Sequence, residues 1–198
     1  MKNFSNLYIF SFSAIMVIVV AALLSFVAEE LRPLQERNVE LEKKTDILRS
    51  VEKTEGIDEA EDKAVFVEEQ FKNFISESFL VNSKGEIVDG DAFEVTKELK
   101  AEYDKDPEDR NLPVFVYVNE EGSKKYVIPI RGKGLWGAIW GYVAINNDFN
   151  TIYGTIFDHA KETPGLGAEI NEDWFMDEFK GKKLFDEDGK FVSVKVVK

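Results

Sequence analysis

The chain has 198 residues, a formal net charge of −13, a sequence isoelectric point near 4.7 and no cysteine. Lacking cysteine, it offers no disulfide, no thiolate metal site and no cysteine-held iron–sulfur cluster, and its single histidine, His159, cannot form a paired-histidine zinc or haem site. Its acidity runs against nucleic-acid binding, which rests on Lys and Arg neutralising phosphates.

Residues 7–28, LYIFSFSAIMVIVVAALLSFVA, carry no charge. As a helix they would extend about 33 Å, which matches the hydrocarbon core of a bilayer. A secretory signal would have a shorter apolar region, about 7–15 residues, closing on a small-x-small cleavage site. Here Phe26 would fall at position −3 of a cut after Ala28, so the expectation is an uncleaved anchor. Lys2 precedes the span, while Glu29, Glu30 and Arg32 come after it. The positive-inside bias then predicts a cytoplasmic N-terminus and an extracytoplasmic body.

Beyond the span, Leu31, Leu34, Leu41 and Leu48 recur on one helical stripe with Asn38 and Thr45 between them, predicting a stalk that bends, if at all, at Pro33. Two heptads do not make a coiled coil. Residues 52–64 are charged, with Gly56 as a break. Residues 65–80 read as a helix with Phe66, Phe71, Phe74 and Ile75 on its apolar face. A short strand near Val81, a turn at 82–85 and a strand at 86–88 come next. Residues 101–111 read as a solvated acidic loop, since they lack the glycine and terminal Glu of a calcium loop.

The β signal is strongest from residue 114 onward. Strands are predicted at 114–118 and 126–130 around a turn at 120–123, then at 139–145 and 151–157. Pro129 belongs at an edge or bulge. A helix over 171–179 with Trp174, Phe175 and Phe179 inward, and a closing strand at 191–197, complete an α+β domain with an antiparallel sheet. The expected division is an anchor at 1–28, a stalk and linker at 29–64, and one domain at 65–198.

Two glycine segments stand out. Gly132-Lys133-Gly134-Leu135-Trp136-Gly137 fits the dinucleotide fingerprint G-x-G-x-x-G. The next residues, Ala138-Ile139-Trp140-Gly141-Tyr142-Val143, are β-branched and glycine-interrupted where the fingerprint needs a helix. The Rossmann reading is rejected on that context, and Asp158, about twenty residues on, gains nothing from it. The second segment is Glu162-Thr163-Pro164-Gly165-Leu166-Gly167, a loop bare enough for backbone to approach a flat ligand.

These segments, the run from Tyr126 to Trp136, the segment Gly181-Lys182-Lys183-Leu184-Phe185 and the single N-terminal span occur in an order that resembles the C subunit of the sodium-translocating NADH:quinone oxidoreductase. The G subunit of the Rnf electron-transport complex shares the flavin-binding domain and is the nearest rival. The resemblance covers essentially the whole chain. It implies FMN held outside the bacterial inner membrane, bound through its phosphate to a threonine. Electrons would arrive from NADH by way of other subunits and leave towards quinone, coupled to sodium export. The protein would act within a hetero-oligomer, without an NADH site or a general acid or base of its own. A flavin-free membrane-tethered scaffold is the alternative from another class.

The family's attachment threonine lies in a Ser-Gly-Ala-Thr motif downstream of the strand at 191–197. This chain runs to Lys198 and contains no such motif, which would be expected beyond Lys198. The expectation is a truncated reading of a longer gene, the other option being a lost covalent link, so no covalent site is named. Candidate FMN-binding residues are Leu135, Trp136, Glu162, Thr163, Gly165, Leu166 and Gly167. Thr163 would offer its hydroxyl to the flavin or cap the turn at Pro164. Gly165 and Gly167 would offer backbone N–H groups or only turn geometry. Leu166 and Trp136 would pack on the ring or in the core. Glu162 would lower the flavin potential by like-charge repulsion, or stand solvated. His159 is read as structural. No catalytic residue and no metal site is expected.

Overall fold

The computed structural model describes residues 5–119 and 121–192. The chain divides into two compact units, residues 1–40 and 41–198. Helix α1, Asn6–Ser50, supplies most of the first unit and the opening of the second, and runs on through Pro33. Its apolar part is long and apolar enough to cross a membrane, with mean hydropathy 2.6 over its best window and none of that window buried.

The second unit continues with α2 (Lys63–Phe74), β1 (Ile75–Asn82), β2 (Ile87–Val88), α3 (Ala92–Lys97), α4 (Leu99–Tyr103), β3 (Asn111–Val118), β4 (Lys124–Lys133), β5 (Ala138–Asn146), β6 (Ile152–His159) and α5 (Asp173–Asp177). The strands form one antiparallel sheet in the order β2-β1-β3-β4-β5-β6. Aspartates start two of the helices. Asp62 accepts from the N–H groups of Ala64 and Val65, and Asp91 from those of Phe93 and Glu94, so each satisfies donors the first turn cannot.

Ile47 and Val51, at and just beyond the end of α1, are fully buried with Leu80, Phe115, Tyr117, Val127, Tyr142 and Ala144. Phe71 and Phe93 meet Phe115 edge-on, with centroids 6.2 and 6.4 Å away. At Gly154 a Cβ would stand 2.5 Å from the Ser50 carbonyl oxygen, so glycine there lets α1 settle on β6.

The predicted helix at 65–80 is two elements. It stops at Phe74, where Ile75 already has extended backbone, and residues 75–82 are held as a strand by pairing with β3 and not by a local alternation. The polar stretch from 101 holds most of α4 and a 3-10 turn at Pro107–Asp109. Helix α5 is shorter than predicted, with Met176 buried and Trp174 largely exposed. Phe175 and Phe179 do pack inward, against Phe157. Pro129 was expected at an edge or bulge but sits inside β4, an interior strand, paired with Tyr142; the recorded ladder with β3 ends at Phe115↔Val127, so its missing N–H breaks no rung on that side. The strand predicted at 191–197 falls mostly outside the described residues, as does Lys198, the point beyond which the attachment motif was expected. Phe191 itself bridges Phe185.

Candidate functional site

The G-x-G-x-x-G segment is the tip of the β4–β5 hairpin. Gly134 N–H donates to the Gly137 carbonyl at 2.8 Å, and Ala138 begins β5 directly, so no helix opens there. The ETPGLG segment comes after β6, the next strand in the sheet, and the two loops meet at one side chain. Glu162 is only 9 % exposed, and its Oε1 accepts from the N–H groups of Trp136 at 2.9 Å and Gly137 at 3.1 Å.

The glycines make room for that carboxylate. A Cβ on Gly134 would come within 2.3 Å of Glu162 Oε1, and one on Gly167 within 2.7 Å of Oε2. Any side chain at either position would displace the carboxylate and part the loops. Glu162 is thus a clamp between the loops and not a solvated carboxylate. Its own N–H donates to His159 Nδ1 at 3.3 Å, which gives His159 a place in the turn. The acceptor role fixes the proton of a neutral His159 on Nε2.

The residues around the clamp divide by role. Thr163 is exposed, and its carbonyl closes the turn by accepting from Leu166 at 3.1 Å and Ala168 at 3.2 Å. Its hydroxyl makes no cap and has no partner among the described residues. Gly165, at φ +75, needs the freedom of glycine, and its N–H is already taken by Glu169 Oε1 at 3.0 Å. The Gly167 N–H has no partner among the described residues. Leu135, Trp136 and Leu166 are 82, 66 and 73 % exposed, so none of them is core. Two loops joined by Glu162 thus carry three exposed large apolar side chains and two free donors, the kinds of group a flat, partly apolar ligand uses.

Beside the hairpin lies a cleft of about 480 Å³ that includes Lys100, Tyr103, Arg131, Lys133, Leu135 and Trp136. Its cations left no mark on the sequence pattern, because α4 and β4 lie far apart along the chain and nothing local pairs them.

A family model described as the FMN-binding domain matches residues 134–198, beginning at the hairpin tip. The C subunit of the Na(+)-translocating NADH-quinone reductase from Vibrio vulnificus is 32 % identical, the match covering 91 % of this chain and 73 % of that one. The corresponding protein of Vibrio anguillarum is 33 % identical at the same coverage. Among solved structures, the corresponding protein of Parabacteroides distasonis superposes with a TM-score of 0.69 at 42 % identity, covering 85 % of this chain and 77 % of that one. The Shewanella oneidensis structure gives a TM-score of 0.60 at 29 % identity, covering 78 % and 77 %.

The residues present fit FMN. The exposed apolar side chains of the two loops and the free donors at Thr163 and Gly167 offer what a planar isoalloxazine with carbonyl edges requires, while the space over Gly134 and Gly167 is taken by the Glu162 carboxylate. The chain belongs to the C-subunit family of the Na(+)-translocating NADH-quinone reductase, as an FMN-binding component of an oxidoreductase complex.

Proposed function

We propose that this chain is the flavin-bearing electron relay of a Na(+)-translocating NADH:quinone oxidoreductase. It receives electrons from neighbouring subunits and passes them towards quinone in a complex that couples their flow to sodium export. Residues 7–28 anchor it in the bacterial inner membrane, with the body on the extracytoplasmic side.

One observation carries this reading. The Glu162 carboxylate draws together the two loops that carry the exposed side chains of Leu135, Trp136 and Leu166. FMN supplies the chemistry, taking up and releasing electrons. The chain supplies the position. Leu135, Trp136 and Leu166 cover apolar ring surface and exclude water, while the Thr163 hydroxyl and the Gly167 N–H hold carbonyl or phosphate oxygens. No side chain needs to act as an acid or base.

The test is a flavin-fluorescence titration of the full chain in detergent. FMN fluorescence should be quenched saturably, and the double variant W136A/L166A should weaken binding about tenfold or more. In the assembled complex the same variant should slow NADH-driven quinone reduction. Absence of saturable binding, or binding unchanged in the variant, would sink the reading.

A further inference from the structure

We infer that Lys100, Arg131 and Lys133 form an anion subsite beside the hairpin, which holds a negative charge carried by the flavin nucleotide. The inference rests on the flavin reading above and deepens it.

The first ground is the arrangement of charge. Acidic residues outnumber basic ones by 38 to 25, and cations such as Lys72 and Lys84 stand scattered without a carboxylate among the described residues, so what counts is where unpaired cations gather. Lys63, Lys105, Lys124, Lys180 and Arg49 each meet a carboxylate. Among the described residues Lys100, Arg131 and Lys133 do not. All three line the cleft that Leu135 and Trp136 also line, where Asp104 is the single acidic member among the described residues.

The second ground is continuity. An adjoining recess of about 210 Å³ shares Lys100 and Arg131 and adds Lys43 and Lys97, with Trp140 and Tyr142 as its aromatic members. Lys97 is paired with Glu94. Burial holds the Lys43 pKa down, Glu42 and Asp46 work against it, and Arg131 adds a smaller push in the same direction as burial. Lys43 and Lys97 thus have carboxylates beside them, which leaves Lys100 and Arg131 as the cations of this wall open to an external anion.

The third ground is the backbone. Arg131 and Lys133 alternate along β4 and so share one face of the sheet, and Lys133 is the last residue before the hairpin. The positive charge is therefore built into the strand that presents Leu135 and Trp136.

FMN carries negative charge in two places. One is the phosphate, in every redox state. The other is the N1 edge of the ring, once the ring has taken up two electrons and one proton. Two measurements on the full chain in detergent separate these sources, using K100E/K133E and the charge-matched control K72E/K84E, whose positions on α2 and the β1–β2 turn are exposed and outside the cleft.

The first is the affinity for FMN relative to riboflavin, which lacks the phosphate. If the phosphate is held, the native chain prefers FMN by about tenfold at low salt, and K100E/K133E loses the preference while the K72E/K84E control keeps it. The second is the midpoint potential of bound FMN. If the ring edge is held, FMN and riboflavin bind alike, and the potential moves lower in K100E/K133E but not in the control. An unchanged preference together with an unchanged potential, in a variant that still binds FMN, would overturn the subsite. If the native chain binds neither flavin, the flavin reading itself has failed and the subsite falls with it.

Discussion

Glu162 shows how much one side chain can decide. A carboxylate that accepts two backbone N–H bonds away from water contributes more than a neutral pair does, and its removal strands both donors. E162A should therefore lower the unfolding free energy in urea by about 2 kcal/mol, and E162Q, which keeps an acceptor, by about half that. Amide exchange at Trp136 and Gly137 should quicken in E162A. Protection unchanged at both amides would mean that the loops hold together without the clamp. The sequence singled out Glu162 for its place in ETPGLG but not for this role. Its partners lie in a loop about twenty-five residues earlier, and local spacing carries no record of such a bond.

At the scale of elements, helix α1 brings a carboxylate into the body that is poorly placed for charge. Asp46, well past the apolar span, has its pKa raised to about 7, first by burial and then by Glu42 and Asp158, with Arg49 and Lys43 offsetting part of the effect. The Tyr142 hydroxyl packed nearby is pushed up as well, chiefly by burial. A carboxyl whose pKa is higher folded than unfolded binds more protons in the native state between the two values. Its stabilising contribution is complete below about pH 4, is lost as pH rises towards 7, and does not change further above. D46N should flatten that slope and stabilise the protein at pH 8 by on the order of 3 kcal/mol relative to native. Urea midpoints from pH 4 to 8 check this, and parallel curves for the two proteins would refute it. The sequence could mark Asp46 as lying on a helix but not that β5 and β6 bury it.

The elements themselves were legible to different degrees. Strands β3 to β6 came from alternating β-branched runs bounded by turns, a signal that lies within each segment. The split of residues 65–80 into α2 and β1 did not, because Phe71 and Phe74 suit a helix face while Ile75 onward suits either state. Pairing with β3 decided it. Trp174 was expected inside, yet the short α5 turns Met176 inward instead.

At the scale of the whole molecule, the proposed location rests on one apolar segment. The full chain should stay with membranes through alkaline carbonate washing, and a version without residues 7–28 should be released. Because the chain has no cysteine, an Asp188→Cys variant gives a single label site on an exposed loop. With the outer membrane permeabilised, a membrane-impermeant maleimide should modify it in otherwise intact cells. Labelling only after the inner membrane is broken would reverse the orientation.

The amino-acid order by itself determined the apolar span, the α+β class, the run of antiparallel strands and the two glycine loops, because each is written in neighbouring residues through their period, charge or backbone freedom. Tertiary structure alone decided that Glu162 joins those loops, that Leu135, Trp136 and Leu166 stand exposed around them, and that three unpaired cations share a cleft beside them. These are meetings between segments far apart in the chain, and only the sheet, by fixing which strand lies next to which, brings them together.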